Sequence, residues 1–157
     1  MEIYKCSHSC AECEMDFSTI KTIADLLKFL GIPLCDLLLP CIVCEGFLNQ
    51  EDIENFTKAP FLLVWRQSCA HGICKRCSRL SATFERNYCY ERRVSADDFI
   101  VEYGDSVFAV PVRCLFCYHV LSDAEKDSMI ESQRPFHWVR SRLRGYCQPC
   151  ADERDDR

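Results

Sequence analysis

The sequence predicts an α+β fold: two duplicated small modules, each a short antiparallel sheet with short helices closed on a metal ion, joined by a linker helix. Three observations carry this expectation. Of fourteen cysteines in 157 residues, eight fall in four C-x-x-C pairs: CIVC (41–44), CKRC (74–77), CLFC (114–117) and CQPC (147–150). Twenty-nine residues separate Cys44 from Cys74, and twenty-nine again separate Cys117 from Cys147. Every one of the first four cysteines returns at an offset of 73, together with Leu48 as Leu121, Trp65 as Trp138, Ser68 as Ser141 and Gly72 as Gly145, which is the mark of an internal repeat.

The spacing has a chemical reason. Two residues between cysteines let one tight turn aim two sulfurs at a point, which is half of the tetrahedron that zinc takes from four thiolates. The intervening loop has room for a hairpin and a short helix before the second turn arrives. Cys41, Cys44, Cys74 and Cys77 are therefore assigned to one structural Zn2+, and Cys114, Cys117, Cys147 and Cys150 to a second. A redox C-x-x-C comes singly and in a βαβ setting that this chain lacks, and four thiolates leave no open position for catalysis. Each closed site carries a formal charge of -2, taking the chain from -5 to about -9. Modules this small stand near the limit of a self-sufficient core, and zinc supplies the missing folding free energy.

The elements follow in order. Residues 1–17 read as a flexible arm; its Cys6, His8, Cys10 and Cys13 match no closed ligand scheme and are read as loose thiols. Residues 18–77 hold the N-terminal helices and the first module. Ser18 or Thr19 caps a helix through IKTIADLLKFL, with Ile20, Ile23, Leu27 and Leu30 on one face and Gly31 and Pro33 at its end. LCDLLL is a second helical turn packed on the core, stopped by Pro40. PFLLVWR (60–66) and PFHWVRSRL (135–143) read as strands, and FLNQEDIENF and VLSDAEKDSMI as strand ends followed by short helices, the second with a capping box from Ser122 to Glu125. Residues 78–102 are the linker helix and connection, with Leu80, Phe84 and Tyr88 at helical spacing and a further helix start at Ser95 and Asp98. Residues 103–151 form the second module and 152–157 a short tail.

Composition sets limits. At 48% hydrophobic and 27% charged residues the chain is globular. An excess of acid argues against a general nucleic-acid binder. No apolar run approaches the ~18 residues of a membrane span. MEIYKCSHSC lacks a basic region followed by an apolar stretch, so a reducing compartment is expected, where thiols hold metal.

The ligand pattern, with 36 residues between Cys77 and Cys114, and the stretches PLCDLLLPC, HGICKRC, FERNYCY and SRLRGYCQPC resemble the papillomavirus early protein six family of oncoproteins. The resemblance spans residues 18–151 and looks most like cutaneous members. It implies a non-enzymatic viral adaptor of the host nucleus and cytoplasm. The two modules and the linker helix would capture acidic L-x-x-L-L helices of host proteins: a HECT-type ubiquitin ligase, Mastermind-like Notch coactivators and paxillin-type proteins, with the main host tumour suppressor as a further candidate. The apolar lining would fall on Phe61, Leu62, Ile73, Ser78, Ala82 and Val139, and the arginines facing the acidic helix on Arg66, Arg113, Arg140 and Arg142. Arg134, Arg140, Arg142 and Arg144 read independently as a basic patch, a fork-shaped match for carboxylates.

Ser78, Ser81 and Glu85 are more polar than a leucine pocket calls for. Lys58 stands where mucosal members carry an aromatic residue used in self-association and tumour-suppressor capture; only weak self-association is expected. DERDDR lacks a Ser/Thr-x-hydrophobic terminus, so no PDZ-domain partner is expected. Two competing readings are a zinc-finger ubiquitin ligase and a zinc-dependent transcription regulator, each acting directly.

Overall fold

Every cysteine turn recurs with its neighbours in the same conformation 73 residues later. The computed structural model describes residues 16–153; Cys6, His8, Cys10 and Cys13 lie outside them. The chain divides into one unit ending at Cys77 and another beginning at Ser78.

In the first unit, α1 spans Ile23–Leu30. Its cap is Thr22 rather than Ser18 or Thr19: the Asp25 N–H donates to Thr22 Oγ1 at 3.0 Å, and the Asp25 carboxylate accepts from the Thr22 N–H at 3.2 Å. Neither earlier candidate has an acid three residues on, so the capping box forms at Thr22 and Ile20 stays outside the helix. Gly31 ends it at φ 68°, a conformation glycine adopts without strain. The LCDLLL turn is shorter than expected, a 3-10 turn over Leu34–Asp36. Pro40 does not stop a helix; it is extended and bridged to Phe47, and its carbonyl accepts from the Gly72 N–H at 2.9 Å. Proline suits that place because it is asked only to accept there.

Helix α2 (Gln50–Lys58) is capped reciprocally by Asn49 and Asp52. Strands β1 (Val64–Arg66) and β2 (Cys69–His71) form an antiparallel hairpin, so only the end of PFLLVWR is strand. Helix α3 covers Lys75–Tyr88. Ile23, Leu26, Leu37, Leu39, Leu48, Phe56 and Leu63 make the first core.

The second unit repeats this plan. Strand β3 (Tyr90–Val94) and helix α4 (Ala96–Tyr103, capped by Ser95 as expected) precede β4 (Arg113–Cys114), α5 (Asp123–Glu131), β5 (Phe136–Val139), β6 (Arg142–Gly145) and α6 (Gln148–Glu153). The sheet runs β3-β5-β6-β4, antiparallel except for β4 with β6. The span 78–102, read as linker helix and connection, thus holds the rest of α3, then a strand and a helix that serve the second core. Phe99 of α4 stacks on Phe136 of β5 with ring centroids 4.1 Å apart. Leu80, Phe84 and Tyr88 do share a helical stripe, but it faces solvent at 55%, 57% and 75% exposure.

PFHWVRSRL is not one strand. It breaks at Arg140 and Ser141, both left-handed (φ 52° and 59°), as Gln67 and Ser68 are in the first hairpin (53° and 64°). Two successive positive φ values in a two-residue loop match the twist of the flanking strands. The capping box of α5, Ser122 with Glu125, forms as read.

The repeated glycines have a packing reason. A Cβ on Gly72 would lie 2.9 Å from Leu39 and 3.1 Å from Leu48; on Gly145, 2.8 Å from Met129 Sδ and 2.9 Å from Leu121. Each glycine lets its backbone press between a cysteine turn and the module's core. Its carbonyl accepts from the residue after the first cysteine, Ile42 or Leu115, at 2.8 Å in both modules.

Candidate metal centres and the residues around them

Two sets of four sulfurs converge. Within Cys41, Cys44, Cys74 and Cys77, and within Cys114, Cys117, Cys147 and Cys150, the ligand atoms all lie within 4.8 Å of one another. Zinc–sulfur bonds of about 2.3 Å place the corners of a tetrahedron about 3.8 Å apart. Two sulfur pairs bracket that edge: Cys44 to Cys74 at 4.0 Å and Cys117 to Cys147 at 3.5 Å. The donor set fits two structural Zn2+ ions, one per module, from consecutive rather than interleaved pairs.

Local structure aims the sulfurs. In each turn the residue two beyond the first cysteine donates its N–H to that sulfur at 3.4 Å, Val43 to Cys41 and Phe116 to Cys114. The residue after the second cysteine, Glu45 or Tyr118, is left-handed (φ 66° and 67°), which folds the chain back into the bridge that follows. Cys74 Sγ accepts the Cys77 N–H at 3.4 Å, so a zinc ligand also occupies the capping position of α3.

Asp52 and Glu125, which are 73 residues apart, do a second job. Besides closing the capping boxes of α2 and α5, Asp52 accepts the Lys75 N–H at 3.0 Å and Glu125 the Gln148 N–H at 2.6 Å. Each carboxylate pins the turn that presents the second cysteine pair. The capping pattern was legible at Ser122 and Glu125; this long-range role was not.

Four crowded sulfurs cannot all ionise unaided. Burial would push the Cys41 thiol up, but backbone N–H groups of Cys44, Cys74 and Val43 bring it down to about 7, while burial pushes Cys77 up to about 12. In the second set, hydrogen bonds from the Cys117, Cys147 and Cys150 thiols hold Cys114 far below the ordinary thiol value, and its bond to Cys114 raises Cys117. Crowding thus drives some thiols of each set down and others up, and a divalent cation is what allows all four to ionise together. The two sets differ in exposure: all four ligands of the second are buried, whereas Cys44 of the first is exposed.

The residues assigned to peptide capture distribute as follows. In the first unit Phe61 packs edge-on against Phe56 (centroids 5.5 Å apart), Leu62 is 58% exposed, Ile73 is half-buried and Arg66 is exposed. On α3, Ser78 and Ala82 are buried, and so is Val139 of β5. Arg113, Val139 and Arg142 are drawn together by the β4-β6-β5 register, in which Arg113 pairs with Arg144 and Val139 with Arg142. Burial, then the charges of Arg144 and Arg142, lower the pKa of Arg113.

The four-arginine patch divides. Arg142 is exposed and Arg134 lies over the Tyr146 ring at 5.8 Å, but Arg144 is buried (7% exposed). Its partner is Glu85 of α3, which accepts from the Tyr118 hydroxyl at 2.6 Å and Arg140 at 3.2 Å and lies 3.7 Å from Arg144. Glu85 is thus the hub of a network inside the second unit, and burial, then the hydrogen bond to Glu85, raises the pKa of the half-buried Tyr118 and holds it protonated. Two further buried groups carried no sequence signal. Lys126 donates to the carbonyls of Val107, Phe108 and Val110, and His137 is held between the hydroxyls of Tyr90 (2.9 Å) and Tyr146 (3.1 Å).

Comparison with known proteins agrees with this arrangement. The pattern of the family described as Early Protein (E6) matches residues 41–150, from the first zinc ligand to the last. Among curated relatives, Protein E6 of Human papillomavirus 25 is 37% identical over 129 residues, covering 82% of this chain and 80% of the relative. Protein E6 of Human papillomavirus type 5b is 36% identical over 129 residues (82% of each chain), and Protein E6 of the Mastomys natalensis papillomavirus 35% over 130 residues (83% and 96%).

Proposed function

The chain belongs to the papillomavirus Early Protein (E6) family, and on that premise we propose that it is a non-enzymatic viral adaptor that captures acidic L-x-x-L-L helices of host proteins. The observation that carries the reading is the display of Arg142 and Arg140 at the surface of the β5–β6 hairpin, beside Arg113, on a chain whose net charge is -5. Guanidinium forks concentrated on one hairpin of an acidic protein suit carboxylates on a partner. Phe61, the exposed Leu62 and Ile73 are the apolar groups assigned to the leucines. Ser78, Ala82 and Val139, buried in the free chain, are the remaining residues assigned to the apolar lining.

The energetics are those of a modest complex. Three leucines contribute roughly 1.5–3 kcal/mol each in gross burial. Ordering the peptide and losing its translational freedom takes back several kcal/mol, leaving about micromolar affinity, on the order of -8 kcal/mol. Candidate partners are the HECT-type ubiquitin ligase, Mastermind-like coactivators and paxillin-type proteins, met in the host nucleus and cytoplasm.

Titration calorimetry with acidic L-x-x-L-L peptides tests this. Arg142→Ala should weaken binding with both zincs retained, and alanine in place of the peptide's leucines should abolish it. Added salt should weaken the wild-type complex more than the arginine variant. If no such peptide binds below about 100 µM, roughly -5.5 kcal/mol, the proposal fails.

A further inference from the structure

We propose that the open edge of β3 is a separate docking surface, taken by an extended acidic peptide segment that adds to the sheet as a fifth strand. The sheet order places β3 at an edge, hydrogen-bonded to β5 alone. On its other side no strand pairs with it among the described residues; its register with β5 shifts between Tyr90 and Arg92, so the regular outward alternation of N–H and C=O groups runs over Arg92–Val94. Tyr90, Glu91, Arg92 and Arg93 are all exposed in succession.

The strand is firmly backed. Val94 is buried opposite Phe136, the Cys89 carbonyl accepts from the Arg140 N–H at 3.0 Å, and the Glu91 carboxylate accepts from the Ser141 N–H. An added strand would therefore meet a pre-formed template, which lowers the ordering cost on this side of the contact.

Charge selects the occupant. Antiparallel pairing of β3 with a second copy about a two-fold axis would set Arg92 and Arg93 against the same arginines, and like charges directly opposite are destabilising. Glu91 keeps its charge, but its carboxylate is drawn to the Ser141 N–H of the β5–β6 hairpin, and two arginines against one carboxylate leave the strand net positive. Arg92 sits over the Trp138 ring at 5.6 Å, while the Tyr90 hydroxyl bonds His137, the cross-strand partner of Arg93. The two arginines thus rise from opposite faces of the sheet. A matching strand needs one carboxylate per face, hence two adjacent acidic residues, followed within the next two positions by an apolar side chain to lie on Tyr90. The chain's overall negative charge does not override this, because screening confines charge effects to about 8–10 Å at physiological salt.

Fluorescence anisotropy on the zinc-loaded full chain decides the matter, with a labelled probe of sequence Thr-Val-Asp-Asp-Thr-Phe-Thr. We expect saturable binding, an affinity loss of about tenfold or more in the Arg92→Glu/Arg93→Glu variant, and recovery in that variant when Lys-Lys replaces Asp-Asp in the probe. Methylating alternate peptide nitrogens should also cost about tenfold, since it removes strand hydrogen bonds and leaves charge intact. Amide exchange at 90–94 should slow when the probe is bound. Zinc content verifies that the variant is folded; should it lose zinc, Arg93→Gln and the methylated probe supply the same decision. The proposal is overturned by no saturable binding up to about 1 mM, or by a methylated probe binding within about twofold of the parent. It is equally overturned if the amides of 90–94 in the free chain become protected as concentration rises, which would assign the edge to a second copy.

Discussion

Replacing Glu85 by Gln should loosen the second unit and leave the first intact. The Glu85 side chain is 13% exposed and that of Arg144 8%, and their closest approach is 3.7 Å. Removing the negative charge leaves the Arg144 guanidinium buried without its counter-ion. Breaking a buried pair from one side costs about 3–5 kcal/mol in general; here the separation is long and Gln can still accept from Tyr118, so about 2–4 kcal/mol is expected. Arg144→Met should cost less, since Glu85 keeps Arg140 and the Tyr118 hydroxyl. The Glu85→Leu/Arg144→Met double variant should recover about 1 kcal/mol or more against the sum of the Glu85→Leu and Arg144→Met singles, because an apolar pair removes the uncompensated charge that each single change leaves. Each unit carries one tryptophan, Trp65 and Trp138, so denaturant unfolding of the zinc-loaded chain in a Trp65→Phe background reports the second unit alone. A Glu85→Gln variant within about 0.5 kcal/mol of its parent, or one that loosens the first unit instead, would refute the reasoning.

Four other outcomes are expected. Gly145→Ala should destabilise the second unit by about 1–3 kcal/mol through overlap with Met129 and Leu121, and Gly145→Ala/Met129→Ala should regain part of it in the same denaturant assay. A chelator should remove zinc in two steps, the first from the set with the exposed Cys44; a colorimetric zinc assay showing a single concerted step would contradict this. Lys126→Met should cost about 1–3 kcal/mol by stranding three carbonyls, seen as a lower denaturant midpoint. Burial, then Arg93, lowers the pKa of His137, so the unfolded chain takes up this proton first; its contribution to stability is present above about pH 6.5 and is lost as pH falls toward the folded value. Ring-proton NMR giving a midpoint above 6.5 would contradict that sign.

What could be read in advance was whatever chemistry encodes locally. Eight cysteines at metal spacing declare their partners, and Ser122 with Glu125, or Ser95 with Asp98, declare a helix start because the bonds that make one span three residues. The hairpins were harder: Gln67-Ser68 and Arg140-Ser141 take the left-handed turn usually signalled by glycine or asparagine, so the second was read as continuous strand. Strand β3 was hidden for a different reason. YERRV has no alternation because one edge strand leaves four successive residues in solvent. The roles of Glu85, Lys126 and His137 depend on partners 9 to 59 residues away, visible only once the sheet and helices are placed. Gly72 and Gly145 were recognised as repeats, yet their reason, backbone pressed against leucine and methionine, is a packing fact.

Zinc counted set by set tests the duplicated metal-closed design most directly. Native mass spectrometry should find two Zn2+ on the folded chain and one on each of Cys44→Ser and Cys117→Ser, with amide exchange showing that only the unit that lost its ligand has opened. A folded chain holding one zinc or none, or a single substitution that empties both sets together, would contradict two independent four-cysteine centres.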